Sequence, residues 1–142
     1  MIHAAFIVAP AGRDNLIAAT TRAADRNEAG RIGLPGGKVD PGESARDAAI
    51  REAAEEGWAV YGVEAEPYHV AEVEGRMVAW FLADMAIARE EFPEQGRIEP
   101  IAATWYQVAA SGYGNDAAMA AVPAGFIAHV GAAGTCWDEE RA

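Results

Sequence analysis

Apolar positions along this chain come mostly in short alternating or continuous blocks, the period of half-buried and buried strands, broken at intervals by Gly, Pro, Asn and Asp. The pattern predicts strands over His3–Val8 and Leu16–Arg22, joined as a hairpin by the breaker-rich turn Ala9–Asn15. A brief strand over Ile32–Leu34 precedes Pro35-Gly36-Gly37-Lys38-Val39-Asp40-Pro41-Gly42, whose density of breakers predicts a shaped loop. A helix then begins at Ser44, whose hydroxyl can accept from the backbone of Asp47, and ends at Gly57. Further strands are predicted over Val60–Val63, Tyr68–Val73 and Arg76–Met85, the last two turning at Glu74-Gly75. Arg76–Met85 would put Met77, Ala79, Phe81, Ala83 and Met85 on one face and Val78, Trp80 and Leu82 on the other. With both faces apolar, it is predicted to be central and covered on both sides. A charged loop, Ala88–Arg97, leads to a strand over Ile101–Val108, and Asp116–Val122 with Gly125–Val130 is predicted as one helix interrupted by Pro123. Strands around one well-capped helix, followed by a C-terminal helix, predict an α/β layered fold with a mixed β-sheet.

Length changes this picture little: 142 residues predict a single domain, 1–142. Alanine supplies much of the 51% hydrophobic content, which predicts a core built from few large side chains. Charge is more telling. With 22 acidic against 11 basic residues the formal charge is -11, which argues against a nucleic-acid polymer as partner while leaving room for small polyanions bridged by a cation. No run reaches the length of a membrane span, and the first ten residues lack the basic start of a signal peptide, so a soluble, cytoplasmic protein with no membrane partner is predicted. The single cysteine, Cys136, excludes an intramolecular disulfide and reads as an ordinary small side chain. Edge strands and aromatic residues are compatible with a homodimer.

Candidate chemistry concentrates in one helix. At 100° per residue, Glu52, Glu55 and Glu56 share one face on neighbouring turns, in the last turn of the helix, where the macrodipole favours cations. Taken alone, this is a solvated acidic face with Arg51 pairing to Glu55 at i, i+4. The upstream segment adds a second reading. Converging carboxylates suit a hard divalent cation, and a glycine-rich loop can bring a backbone carbonyl to it. Glu43, eight residues before Arg51, can tie loop to helix through a salt bridge.

Gly37, five residues, Glu43, seven residues, then Arg51-Glu52-Ala53-Ala54-Glu55-Glu56 resembles the signature of the Nudix hydrolases, enzymes that cleave a nucleoside diphosphate linked to another moiety. Every charged position of the signature is filled. Two positions depart from it: Trp58 stands where the family has glycine, with Gly57 one residue early, and Ala53 replaces a larger aliphatic. The resemblance implies a Nudix-type α/β/α sandwich, with Glu52, Glu55, Glu56 and the Gly37 carbonyl as metal ligands and Glu43–Arg51 as a structural pair. It implies Mg²⁺ as cofactor, with Mn²⁺ as a substitute, and a general base among Glu52, Glu56 and a loop acid such as Glu99. The strand-ending arginine is similar to that of the MutT branch, which places Arg22 near the substrate phosphates. Lys38 follows the diglycine as in many relatives, as a phosphate contact or a prop of the loop.

The other end of the site is less marked. Trp105-Tyr106-Gln107-Val108 and Tyr113-Gly114-Asn115-Asp116 resemble the region of MutT-like enzymes where an aromatic stacks on the base and an amide reads its edge, implying Tyr113 and Asn115 as substrate contacts. A helix cap at Asn115-Asp116 and core packing of Trp105 explain the same residues. The resemblance implies a nucleotide pyrophosphohydrolase acting on a (d)NTP or a damaged nucleotide and releasing pyrophosphate. Its alternatives are a hydrolase of nucleotide sugars, ADP-ribose or dinucleoside polyphosphates, and a non-catalytic nucleotide sensor.

Overall fold

The computed structural model describes residues 1–12, 16–22, 31–123 and 126. Its centre is a four-stranded mixed sheet in the order β4–β1–β7–β6, built from β1 (Ala4–Val8), β4 (Gly36–Lys38), β6 (His69–Val73) and β7 (Arg76–Leu82). β1 and β7 run parallel, and the outer pairs are antiparallel. β7 is central, as its two apolar faces predict. Ala79 and Phe81 enter one core layer with Ala5 and Ile7, while Val78, Trp80 and Leu82 enter the other with Val8. Burying side chains the size of Trp80 and Phe81 stabilises the fold by about 1.5–3 kcal/mol each.

Helix α1 (Ala45–Glu55) covers the first layer. Ser44 accepts from the Asp47 N–H at 3.0 Å, the predicted N-cap, and the buried face of the helix is Ala48, Ala49 and Ala53, small residues that let it lie close to the sheet. Helices α2 (Trp105–Ala109) and α3 (Asn115–Ala120) cover the second layer through Val108, Ala118 and Met119. Tyr68 at the head of β6 donates to the Ala118 carbonyl at 2.9 Å, and burial pushes its phenol above the usual range. The result is the predicted α/β/α sandwich.

A second, three-stranded sheet in the order β3–β2–β9 is formed by β2 (Ile17–Arg22), β3 (Ile32–Gly33) and β9 (Ile98–Ala103). β5 (Trp58–Tyr61) and β8 (Met85–Ala88) make a two-stranded antiparallel sheet. Several boundaries therefore differ from the expected ones. β1 and β2 meet only beyond the end of β1, where Ala18 N–H donates to Ala9 and Ala11 N–H to Leu16, and then diverge into different sheets instead of forming one hairpin. The diglycine lies in β4, because Gly36 at φ 144° lets the backbone pass within reach of Ala5 and Phe6. Met85 leaves β7 for β8, since Asp84 N–H is taken by Tyr61. Trp105–Val108 is helix, not strand: Thr104 and Gln107 form a reciprocal capping box that starts α2. The expected Gly125–Val130 half of the last helix, apart from Phe126, and Cys136 lie outside the described residues. Among the described residues, no helix is long and apolar enough to cross a membrane.

Candidate active site

Arg51 organises the acidic end of α1. Its Nε and Nη2 donate to Glu43 at 2.7 and 3.0 Å, a two-pronged pair, while Nη1 reaches Glu55 at 2.9 Å and Glu52 at 3.1 Å. Nη2 also donates to the Lys38 carbonyl at 3.1 Å, which ties β4 to the helix. The hydrogen bonds from Arg51 hold the Glu43 carboxyl down to about 2, and the same contacts keep Arg51 firmly charged. One guanidinium thus sets the side chains of three glutamates from two segments.

The three helix glutamates are not equivalent. Glu52 and Glu55 converge with Glu94, from the loop after β8, so that one oxygen from each lies within 4.8 Å of the others. Glu94 is held there by its own N–H, which donates to the Glu55 carbonyl at 3.0 Å, and by Arg97, 2.6 Å from its carboxylate. Arg89 adds a second tie by donating to the Ala54 carbonyl at 2.8 Å, capping the end of α1. Burial raises the Glu52 pKa, with the neighbouring Glu55 and Glu94 charges adding to the effect. Gly37 lies directly against Glu52: a Cβ there would stand 2.8 Å from its carboxylate.

This donor set fits a hard divalent cation. It is all oxygen, and its members converge closely enough to share one ion of the kind that takes carboxylate and carbonyl oxygens. Glu56 points elsewhere. It is 8% exposed, accepts the Gly36 N–H at 2.9 Å, and its pKa is raised to about 8, mainly by burial. It lines a cleft of about 280 Å³ whose walls include Arg22, Phe6, Tyr113 and Asn115. Arg22 is near enough to offset part of the burial effect on Glu56.

The sequence-predicted residues therefore fall into two groups that meet at the end of α1. Glu52 and Glu55 belong to the acidic cluster with Gly37 beside them, and Arg22, Tyr113, Asn115 and Glu56 belong to the cleft. Glu43 and Arg51 are paired. Lys38 is exposed and is not a wall of the cleft; its backbone carbonyl, not its side chain, is what Arg51 uses. Glu99 on β9 pairs in register with Thr21 on β2, while Thr20, Arg22 and Ile98 line the cleft from alternate positions, so Glu99 faces the other side of that sheet. Trp58, in the place of the family glycine, is 4% exposed and donates its indole N–H to the Ala19 carbonyl at 2.7 Å, fastening β5 to β2. Gly57 at φ 104° takes over the end of the helix.

Glu94 and Arg31 were not singled out by sequence. Glu94 is one of several acids in a charged loop, and no spacing marks it out. Arg31 sits on the cleft wall and donates to the Ser111 carbonyl through both Nε and Nη2, at 3.2 and 3.0 Å.

A NUDIX domain family model matches residues 1–129. A search of curated proteins finds no match. Among solved structures, the chain is similar to a MutT NUDIX hydrolase from Burkholderia pseudomallei, with 25% identity over 84% of this chain and 98% of that one, and a TM-score of 0.59. It is also similar to a MutT structure from a study of the enzymes of Aliivibrio salmonicida and Vibrio cholerae, with 18% identity over 85% and 96% of the two chains and a TM-score of 0.62. A third is an ADP compounds hydrolase, with 17% identity over 84% of this chain and 70% of that one, and a TM-score of 0.60. The sandwich, the braced acidic helix end and the family match agree: the chain belongs to the Nudix family and is a hydrolase of pyrophosphate bonds.

Proposed function

We propose that this enzyme is a Mg²⁺-dependent pyrophosphohydrolase of nucleoside triphosphates, ordinary or damaged, releasing a nucleoside monophosphate and pyrophosphate. The observation that carries the reading is the meeting of two unlike sites at one helix end: three converging carboxylates beside a cleft with aromatic and amide walls.

Glu52, Glu55 and Glu94 would hold the cation, with the carbonyl of Gly37, which lies against Glu52, as a further oxygen donor. When bound, Mg²⁺ supplies charge neutralisation for the phosphate oxygens and acidifies water. Arg51 keeps Glu52 and Glu55 in place without consuming both oxygens of either. Arg22, on the cleft wall, binds phosphate oxygens and holds the chain in line. Glu52 is the best placed general base. It is only partly buried, and the lone pairs that Arg51 and the cation would leave on its carboxylate can take a proton from water and pass it to solvent, whereas Glu56 is buried and pinned beneath Gly36. Phe6 and Tyr113, edge to face at 5.8 Å, form an aromatic corner for a base, with Asn115 available to its edge.

The test is a panel of nucleoside triphosphates, nucleotide sugars, ADP-ribose and dinucleoside polyphosphates with Mg²⁺ or Mn²⁺. Pyrophosphate release from a triphosphate is expected. Preferential release of a sugar phosphate would move the substrate to the nucleotide sugars. Glu52→Gln is expected to lower kcat by about 10²- to 10⁴-fold, and full turnover by that variant would remove Glu52 from the role of base.

A further inference from the structure

Asn115 is 5% exposed, yet it lines the cleft. Its side-chain oxygen accepts the Trp80 indole N–H at 3.3 Å, and its amide nitrogen donates to the Ser111 hydroxyl at 3.0 Å. The Ser111 hydroxyl in turn donates to the Val108 carbonyl at 2.7 Å. Oxygen and nitrogen of an amide are alike in shape, so the neighbours must decide which is which. Here both neighbours decide, and they agree. An indole N–H can only donate, so the atom facing Trp80 has to be the oxygen. A hydroxyl has one proton, and Ser111 spends it on Val108, so the atom facing Ser111 has to be the nitrogen.

We infer that Trp80 and Ser111 are positioning residues that lock the polarity of the Asn115 amide and so set which nucleobase edge the cleft accepts. The inference rests on the nucleotide reading of the cleft given above and deepens it.

Each partner of Asn115 uses one hydrogen-bonding position, leaving one N–H and one oxygen lone pair for a ligand in a fixed order. A base edge must then offer an acceptor and an adjacent donor in the complementary order. 6-Oxopurines (O6 acceptor, N1–H donor) and 6-aminopurines (N1 acceptor, N6–H donor) present these groups in opposite order. A freely turning amide serves both by flipping. A locked amide serves one and meets the other with donor against donor. The lock extends to the cleft walls. Trp80 is fully buried in the central strand, and Arg31 holds the Ser111 carbonyl through two hydrogen bonds, so neither end of the amide can shift alone.

The experiment measures kcat/KM for GTP and ATP in the wild type, Ser111→Ala and Trp80→Phe, with folding checked by circular dichroism. The wild type is expected to prefer one nucleotide by about tenfold or more. Ser111→Ala, which releases the nitrogen end, is expected to reduce that preference severalfold, mainly by improving KM for the disfavoured nucleotide. A wild type that does not discriminate, or a preference unchanged in both variants, overturns the lock.

A structural readout separates this from failure of the nucleotide reading. Neutron diffraction from a deuterated wild-type crystal is expected to place two deuterons on the Asn115 side-chain atom facing Ser111 and none on the atom facing Trp80. Deuterons on the atom facing Trp80, or split between the two, overturn the lock with or without turnover. The expected arrangement in a protein that hydrolyses no nucleotide would uphold the lock and reject the substrate class.

Discussion

Glu56 is an acid that burial would keep neutral, with its pKa raised to about 8 against an ordinary value of 4.5. A carboxyl whose folded pKa exceeds its unfolded one contributes most below the unfolded value, and that contribution is lost as pH rises through the folded value. Between pH 4.5 and 8 the cation-free protein should therefore lose stability on account of this residue. Glu56→Gln keeps an acceptor for the Gly36 N–H and removes the ionisation. It is expected to stabilise the metal-free protein by about 1–3 kcal/mol at pH 8 and to flatten its pH dependence, as read by urea titration at pH 5 and pH 8. An unchanged slope would mean that Glu56 is already ionised in the fold. At this scale the sequence was legible where spacing is rigid. Glu52, Glu55, Glu43 and Arg51 lie on or beside one helix, whose period dictates their neighbours. Glu94 was hidden because its placement depends on a loop docking through Arg89 and its own backbone N–H, contacts that no local period encodes.

The elements around α1 illustrate how a departure from the family pattern is absorbed. Gly57 ends the helix at φ 104°, and a Cβ there would meet Pro100 at 2.8 Å, so the residue is bound both by backbone sign and by the approach of β9. Gly57→Ala is expected to destabilise by about 1–3 kcal/mol, seen as a lower urea midpoint with an unchanged slope. A neutral result would show that the helix end re-forms with another residue in its cap. With the turn made one position early, Trp58 is free to begin β5 and to fasten it to β2. The α2 segment also departs from its sequence pattern because of a local cap. Ile101–Val108 has strand composition throughout, but Thr104 and Gln107 sit at capping-box spacing, and a local cap outweighs the β propensity of so short a run.

Across the whole molecule, alternation in β7 foretold a two-sided core, because a strand with no polar face has nowhere to lie but the middle. What the pattern did not reveal was the partition into three sheets. Adjacent strands β1 and β2 look like a hairpin in sequence, and their divergence beyond Ala9 depends on β9 and β7, some sixty residues or more downstream, claiming them. Sequence charge adds a global consequence. On a chain of net charge -11, a divalent cation bound at the acidic cluster should raise the melting temperature. At a free concentration a hundred times Kd the gain is about 2.7 kcal/mol. Glu94→Gln is expected to weaken that response to Mg²⁺ at least tenfold in apparent Kd while leaving the metal-free melting temperature within a few degrees, as followed by scanning calorimetry. An identical Mg²⁺ titration in the variant would remove Glu94 from the ligand set.

The acids at the end of α1 repel one another and oppose the dipole, a cost that the Arg51 pairs to Glu52 and Glu55 offset only in part. A library of variants sorted only for expression and solubility would accordingly drift away from glutamate at positions 52, 55 and 56. Sorting the same library for turnover would hold all three, so the gap between the two outcomes, position by position, maps where foldability has been surrendered to chemistry.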